Sequence, residues 1–282
     1  MKKAFISIFA IAMAEMAMAQ VNDPKVWGWD FPMYMDINVE AGQQVLSCQR
    51  HYFENVKEGD GVVKKTMIWY DTEVATPGKE KTVVNEYGDK IEVPNTLIIP
   101  LAKEAKAKKG DILLTHSKYH EMQRAIVIDA STPTEPVVCF LDDDWPGKVD
   151  SPSLPEKRKG EKLKPGSFNV LKDGSFDSGA QVAHKSGSDW KFGKVLHVSG
   201  DKVLLSVFAN RIDCVNKNQC TIVPFKEKIK KGDKVWVLSS DAYESGYTVV
   251  EVDMEHGHIW TQAEGSKYTY CHGLAEVTKV IK

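Results

Sequence analysis

The sequence predicts an all-β chain made of four small barrels arranged as two tandem pairs. From Gly42 onward, short alternating or Val/Ile-rich runs are separated by Gly, Asp, Asn and Pro turns, which is typical of short strands. A motif that begins a strand recurs four times, and a motif that ends one recurs four times in the same order. Five short strands in about 50 to 70 residues suit a barrel that closes on itself and leaves little exposed edge.

The two repeated motifs define the units. The Gly-polar-x-Val/Leu start occurs at Gly42-Gln43-Gln44-Val45, Gly110-Asp111-Ile112-Leu113, Gly179-Ala180-Gln181-Val182 and Gly232-Asp233-Lys234-Val235. The aromatic-x-polar ending occurs at Trp69-Tyr70-Asp71, Phe140-Leu141-Asp142, Phe208-Ala209-Asn210 and Trp260-Thr261-Gln262. Asn95-Thr96-Leu97-Ile98-Ile99-Pro100 and Gln219-Cys220-Thr221-Ile222-Val223-Pro224 follow the first and third units. The units therefore pair as though a two-barrel block had been duplicated.

In chain order, residues 1–19 are predicted to be a signal peptide. Lys2-Lys3 is a basic start, residues 4–13 are apolar, and Ala17-Met18-Ala19 has the form of a signal-peptidase site. An aromatic-rich arm (20–40) follows, which either packs over a barrel or exposes a patch for a partner. The expected units are barrel 1 (41–101), barrel 2 (102–150), a linker with the closing strand of barrel 2 (151–171), barrel 3 (172–225) and barrel 4 (226–282). A periplasmic or extracellular location is expected.

Composition narrows the classes of partner. The chain is 42% hydrophobic and 27% charged, as in ordinary globular proteins. Removing the leader, with Lys2, Lys3 and Glu15, leaves 35 basic and 38 acidic residues. This small negative charge gives no electrostatic reason to expect nucleic acid or an anionic membrane as a partner. No later segment approaches the roughly 20 apolar residues that span a bilayer, so no membrane span is expected. The oligomeric state stays open.

The third unit carries the most complete motif set: Gly179-Ala180-Gln181-Val182, Trp190-Lys191-Phe192-Gly193-Lys194-Val195 and Val207-Phe208-Ala209-Asn210. With Val93-Pro94-Asn95-Thr96-Leu97 of the first unit, this pattern resembles the Tudor/Agenet family of SH3-like barrels. The resemblance implies a binding module whose aromatic cage holds a methylated Lys or Arg by cation–π attraction. The positions it implies are Trp190, Phe192, Phe208 and Asn210 in the third unit, Trp69 and Asp71 in the first, Phe140 and Asp142 in the second, and Trp260 and Gln262 in the fourth. The second and fourth units lack the Trp-x-Phe pair.

The predicted function is a non-enzymatic binding or scaffolding protein that recognises a peptide or a cationic ligand, without a cofactor. Core packing is the alternative to a ligand cage for Trp190, Phe192 and Phe208. Trp69 and Trp260 are expected to pack in the core or between barrels. One alternative function is cell-wall or surface-glycan binding. Another is a hydrolase with a Cys/His or metal site between barrels, formed by Cys271, His256 or His258.

No metal site or catalytic motif is predicted. Asp142-Asp143-Asp144 is interpreted as a solvated turn. His116, His120, His184 and His197 are scattered, and the cysteine spacing fits no structural zinc site. A disulfide between Cys214 and Cys220 across a turn-like spacer stays open.

Overall fold

A computed structural model describes residues 30–32, 34–53, 66–142 and 160–281. The predicted signal peptide, the first half of the predicted arm and part of the predicted linker lie outside these residues. The described chain is all-β, as predicted, and its one short α-helix is α1 (Arg50–Phe53). No helix in these four ranges is both long and apolar enough to cross a membrane.

The strands within the described ranges fall into four groups of five. Unit one contains β1 (Gln44–Cys48), β2 (Trp69–Thr76), β3 (Lys81–Glu86), β4 (Asp89–Pro94) and β5 (Ile98–Pro100). Unit two contains β6 (Ile112–His116), β7 (Met122–Asp129), β8 (Val137–Phe140), β9 (Glu161–Lys162) and β10 (Asn169–Val170). Unit three contains β11 (Gln181–Ser186), β12 (Asp189–Ser199), β13 (Lys202–Val207), β14 (Arg211–Asn216) and β15 (Cys220–Ile222). Unit four contains β16 (Lys234–Ser239), β17 (Ala242–Asp253), β18 (His258–Ala263), β19 (Thr269–Gly273) and β20 (Val277–Thr278).

Each unit has the same antiparallel strand order. The first four strands form a meander, and the fifth returns to pair with the first, giving the order fifth-first-second-third-fourth. Units three and four repeat this order within one ten-stranded sheet. The repetition read from the sequence is therefore also a repetition of hydrogen-bonded topology.

The recurring glycine explains why each unit starts alike. In all four units it has a positive φ, between 78° and 95°, which glycine adopts without steric cost. Its N–H donates to a valine carbonyl on the second strand, and that valine's N–H donates back to the residue after the glycine. The pairs are Gly42 with Val74, Gly110 with Val127, Gly179 with Val195 and Gly232 with Val249, at 2.7–2.8 Å. The second strand has a β-bulge immediately after each of these valines, which bends it.

The units join in pairs through their second strands. In units three and four, β12 pairs with β17, with Trp190 opposite Tyr243. In units one and two, Tyr70 on β2 forms a β-bridge with Glu121, which directly precedes β7. One extended apolar cluster contains residues from all four units, so the pairs also pack against each other.

Several buried residues clarify the sequence predictions. Trp69 and Trp260 are almost fully buried, as expected for core positions. Trp69 lies on the second strand of its unit, whereas the other three aromatic-x-polar motifs lie on or directly after the third strand.

Phe31 of the arm is buried, and the Pro32 carbonyl accepts a 2.7 Å hydrogen bond from Thr96. No disulfide joins Cys214 to Cys220.

Candidate functional site

The aromatic residues that the sequence predicts as one cage in unit three differ in burial and position in the structure. Trp190 and Phe192 are half-buried on β12 and pack against the main apolar cluster. Phe208 is 44% exposed, in a short 3₁₀ turn after β13. The Lys185 ammonium lies 4.7 Å from the Trp190 ring centroid, so one face of that ring already carries a cation of the same chain.

Three of the other predicted residues meet in a cavity of about 170 Å³ between units one, two and three, here called the central cleft. Its lining includes Trp69, Glu121, Gln123, Asp142, Lys194 and Asn210. The Asn210 carbonyl accepts a 2.8 Å hydrogen bond from the Met67 N–H, which ties unit three to unit one at the edge of the cleft. Sequence reasoning assigned Trp69, Asp142 and Asn210 to three separate units, and packing of the units brings them together.

A buried ion-pair network supports the wall of the central cleft. The Asp142 carboxylate accepts hydrogen bonds from the Arg124 guanidinium at 2.9 and 3.0 Å and from the Lys194 ammonium at 2.8 Å. The side chains of these three residues are 13%, 4% and 14% exposed. Burial alone would raise the pKa of Asp142, but the charges of Arg124 and Lys194 outweigh it and hold that pKa well below its usual range. Asp142 is therefore ionised, and the two neighbouring cations balance its negative charge.

The network continues into unit four. Arg124 also donates to the Gln181 side-chain oxygen at 2.6 Å, and the Gln181 amide donates to the Tyr243 hydroxyl at 2.9 Å. That hydroxyl donates to the Ala275 carbonyl at 2.6 Å. A continuous chain of hydrogen bonds, which starts at the cleft-lining Asp142, therefore joins units two, three and four.

Two buried polar atoms belong to residues that line the cleft and have no hydrogen-bond partner among the described residues. They are the Trp69 indole N–H (Nε1) and the Gln123 side-chain carbonyl (Oε1). Both residues line the central cleft. A buried donor or acceptor without a partner costs about 1–3 kcal/mol, so native proteins normally supply one from protein, water or ligand.

A second cavity of about 270 Å³ lies between units one and two and is here called the histidine cleft. Its lining includes Tyr70, Asp71, Glu86, Tyr87 and His120. The Asp71 side chain is 17% exposed, and its Oδ1 lies 2.7 Å from His120 Nδ1. His116 lies beside them, with Nε2 3.8 Å from Asp71 Oδ2.

The remaining predicted residues lie elsewhere. Phe140 packs against a separate small apolar cluster within unit two, and Gln262 lies on β18 of unit four. Neither cleft is lined by Trp190, Phe192 or Phe208. His258 is fully buried at the start of β18 and Cys271 is 2% exposed on β19.

Sequence reasoning missed Arg124, Lys194, Gln123 and the two histidines as site residues. A signal existed for Arg124, because a cation inside the apolar run that continues through Ala125, Ile126 and Val127 requires a buried partner. His116 and His120 were treated as scattered, although they flank a short turn between neighbouring strands. No signal in the sequence places Asp71 beside them.

Comparison with protein-family models and with curated proteins found no match.

Proposed function

We propose that the chain is an exported, non-enzymatic binding protein of SH3-like barrels that holds a peptide in the central cleft. The repeated strand order supports the barrel assignment, because a fifth strand that returns to the first is what closes such a barrel. The leader-like residues 1–19 support export.

The observation that carries the proposal is the pair of buried polar atoms, on residues that line the cleft, for which the described residues supply no partner. Trp69 Nε1 is a donor and Gln123 Oε1 is an acceptor. A peptide or carboxamide group carries the complementary carbonyl and N–H, and would pair with both atoms once side-chain shifts in the lining open them to the cleft. Met67, Ile68 and Met122 line the cleft beside its polar and charged residues, so a peptide there would find apolar contacts as well as polar ones.

A peptide fits this cleft better than a cationic group. The charge of Asp142 is already neutralised by Arg124 and Lys194, so it offers no net attraction to a ligand cation. Trp190, the aromatic residue suited to a cation cage, lies outside the cleft and is covered on one face by Lys185. Of the two ligand classes predicted from the sequence, a peptide or a cationic group, the cleft therefore favours the peptide.

The test is selection of peptides from a displayed random library on the immobilised mature protein. Affinities of the selected peptides are then measured by fluorescence anisotropy for the native protein and for Gln123→Leu. Leaving a ligand N–H without its acceptor costs about 1–3 kcal/mol, so affinity is expected to fall roughly 5- to 150-fold. Gln262→Leu, on unit four, is the matched control and should bind as the native protein does.

Two results would contradict the proposal: no enrichment of any peptide, or equal binding by Gln123→Leu and the native protein. An unchanged thermal transition of Gln123→Leu shows that its loss of binding is not a loss of folding. Retention on peptidoglycan or polysaccharide without peptide binding would instead support the glycan alternative. Export is tested separately by mass spectrometry, which should find the mature N-terminus at Gln20.

A further inference from the structure

Asp71, His116 and His120 come from two units and meet at one point. Asp71 lies on β2 of unit one, and the histidines lie on either side of the turn between β6 and β7 of unit two. The candidate ligand atoms of the three side chains all lie within 4.8 Å of one another. The two imidazole rings are nearly parallel, with an interplanar angle of 9° and centroids 6.2 Å apart.

The hydrogen bonds around His116 leave one nitrogen for another role. His116 Nδ1 lies 3.0 Å from the Ser117 carbonyl, which can only accept, so Nδ1 carries the proton. In the neutral ring, Nε2 then presents a lone pair towards the Asp71 carboxylate. The 3.8 Å separation is too long for a hydrogen bond between them. Nε2 and the carboxylate are then two acceptors that face each other, and a cation between them would bind to both.

The backbone also holds His120 in place. His120 has φ of +73°, a left-handed conformation that is uncommon for a residue other than glycine. Its carbonyl accepts a 2.9 Å hydrogen bond from the Asp71 N–H, and its N–H donates to the Ser117 carbonyl at 2.8 Å. The contact between units one and two thus fixes the backbone of His120 directly beside Asp71.

From this geometry we propose that Asp71, His116 and His120 form a binding site for a divalent transition-metal ion of the zinc class. Zinc bonds to imidazole nitrogen and carboxylate oxygen are about 2.0–2.2 Å long, which places tetrahedral ligand atoms about 3.3–3.5 Å apart. The Asp71 oxygens lie 2.7 Å from His120 Nδ1 and 3.8 Å from His116 Nε2, on either side of this value. The shorter contact is a hydrogen bond, so a metal ion would replace the proton on His120 Nδ1. Metal-binding imidazole rings are commonly oriented by a hydrogen bond from their other nitrogen, and His116 has such a bond from Nδ1 to the Ser117 carbonyl.

Three protein ligands leave a fourth position for water or a bound group. That position opens to solvent, because the His120 side chain is 67% exposed, and to the histidine cleft, which Asp71 and His120 line. Glu86 also lines this cleft and adds negative charge that favours a cation.

The equivalent contact between units three and four has different side chains. There the Phe192 N–H donates to the Asp241 carbonyl at 3.1 Å, as the Asp71 N–H does to His120. Phe192 thus occupies the place of Asp71, and Asp241 that of His120, where it pairs with the Lys191 ammonium at 2.8 Å. The metal ligand set therefore belongs to one copy of the duplicated block, not to the fold in general.

The experiment uses the mature full chain without a polyhistidine tag, stripped with EDTA and titrated calorimetrically with zinc chloride. His120→Ala is the principal variant, because this exposed side chain can be removed without opening the core. His116→Ala is the second variant. His256→Ala is the matched control, since His256 Nδ1 contacts Asp253 at 3.0 Å and tests whether any histidine–aspartate pair binds zinc.

The native protein is expected to bind one zinc ion that each ligand variant binds at least tenfold more weakly, while His256→Ala binds as the native protein does. Cobalt added in place of zinc should give visible absorption bands that disappear in His120→Ala. Absence of zinc binding at micromolar concentrations, or equal binding by native protein and His120→Ala, would overturn the proposal. Circular dichroism of the metal-free variants separates loss of a ligand from loss of folding.

Discussion

His197 provides a pH-dependent test of how units one and three pack. It lies on β12, is 8% exposed, and forms a hydrogen bond with the Ile98 backbone of unit one. Burial lowers its pKa to about 4, although the Ile98 hydrogen bond acts in the opposite direction. Its Nε2 is buried and has no hydrogen-bond partner among the described residues, which therefore supply no acceptor for a proton added there.

The direction in which pH changes the stability follows from comparing proton binding by the folded and unfolded states. The unfolded chain takes up a proton on His197 near pH 6.5, whereas the folded protein does so only near pH 4. Between these values the unfolded state binds more protons, so stability falls as the pH is lowered through this window. A difference of about 2.5 pH units, at about 1.4 kcal/mol per unit, amounts to about 3 kcal/mol lost between pH 7 and pH 4.

The assay is urea unfolding at pH 7 and at pH 4 for the native protein and for His197→Asn. Asparagine keeps an N–H where Nδ1 lies and does not titrate, so the variant should lose about 3 kcal/mol less than the native protein over the same interval. His272, whose pKa burial also lowers to about 4, remains in both proteins and cancels. An exposed control, His51→Asn, should lose as much as the native protein. Equal losses for His197→Asn and native protein would refute the reasoning.

Two further substitutions test the packing between units. Asp142→Asn should lower the free energy of unfolding by about 3–5 kcal/mol in urea titrations, because Arg124 is left buried without its counter-charge; a loss below about 1 kcal/mol would contradict this. Gly110→Ala should lower the free energy of unfolding by about 1–2 kcal/mol, because alanine resists the positive φ at this position. A Cβ there meets nothing within 4 Å, so no steric clash adds to this loss. Gly179→Ala should cost about 1–3 kcal/mol more, because its Cβ would lie 3.0–3.3 Å from Leu114 of unit two. Equal thermal shifts for the two glycine variants would refute the contact.

Much of the architecture could be predicted because it depends on local pattern. The glycine before each first strand marks a backbone conformation that other residues resist, and the same hydrogen-bonded pair forms wherever that motif recurs. The aromatic-x-polar motif was less reliable as a marker of equivalent positions. Trp69 lies one strand earlier in its unit than Phe140, Phe208 and Trp260 do in theirs.

The candidate sites were only partly predictable, because each is assembled from more than one unit. Trp69, Asp142 and Asn210 were identified individually, and packing of three units placed them in one cleft. Trp190 and Phe192 matched the cage pattern, but their strand pairs with β17 of unit four. The residues of a motif within one unit do not indicate which neighbouring unit packs against that motif.

By itself, the sequence determined the all-β class and the fourfold recurrence of one strand-starting turn, because strand periodicity and glycine conformation are properties of a few neighbouring residues. Only the tertiary structure decided that Asp142 is neutralised by Arg124 and Lys194, and that Asp71 faces His116 and His120. These contacts join residues from different units. Their formation depends on how the apolar surfaces of whole units pack together, and that packing sums many weak contacts across the chain rather than following from any one motif.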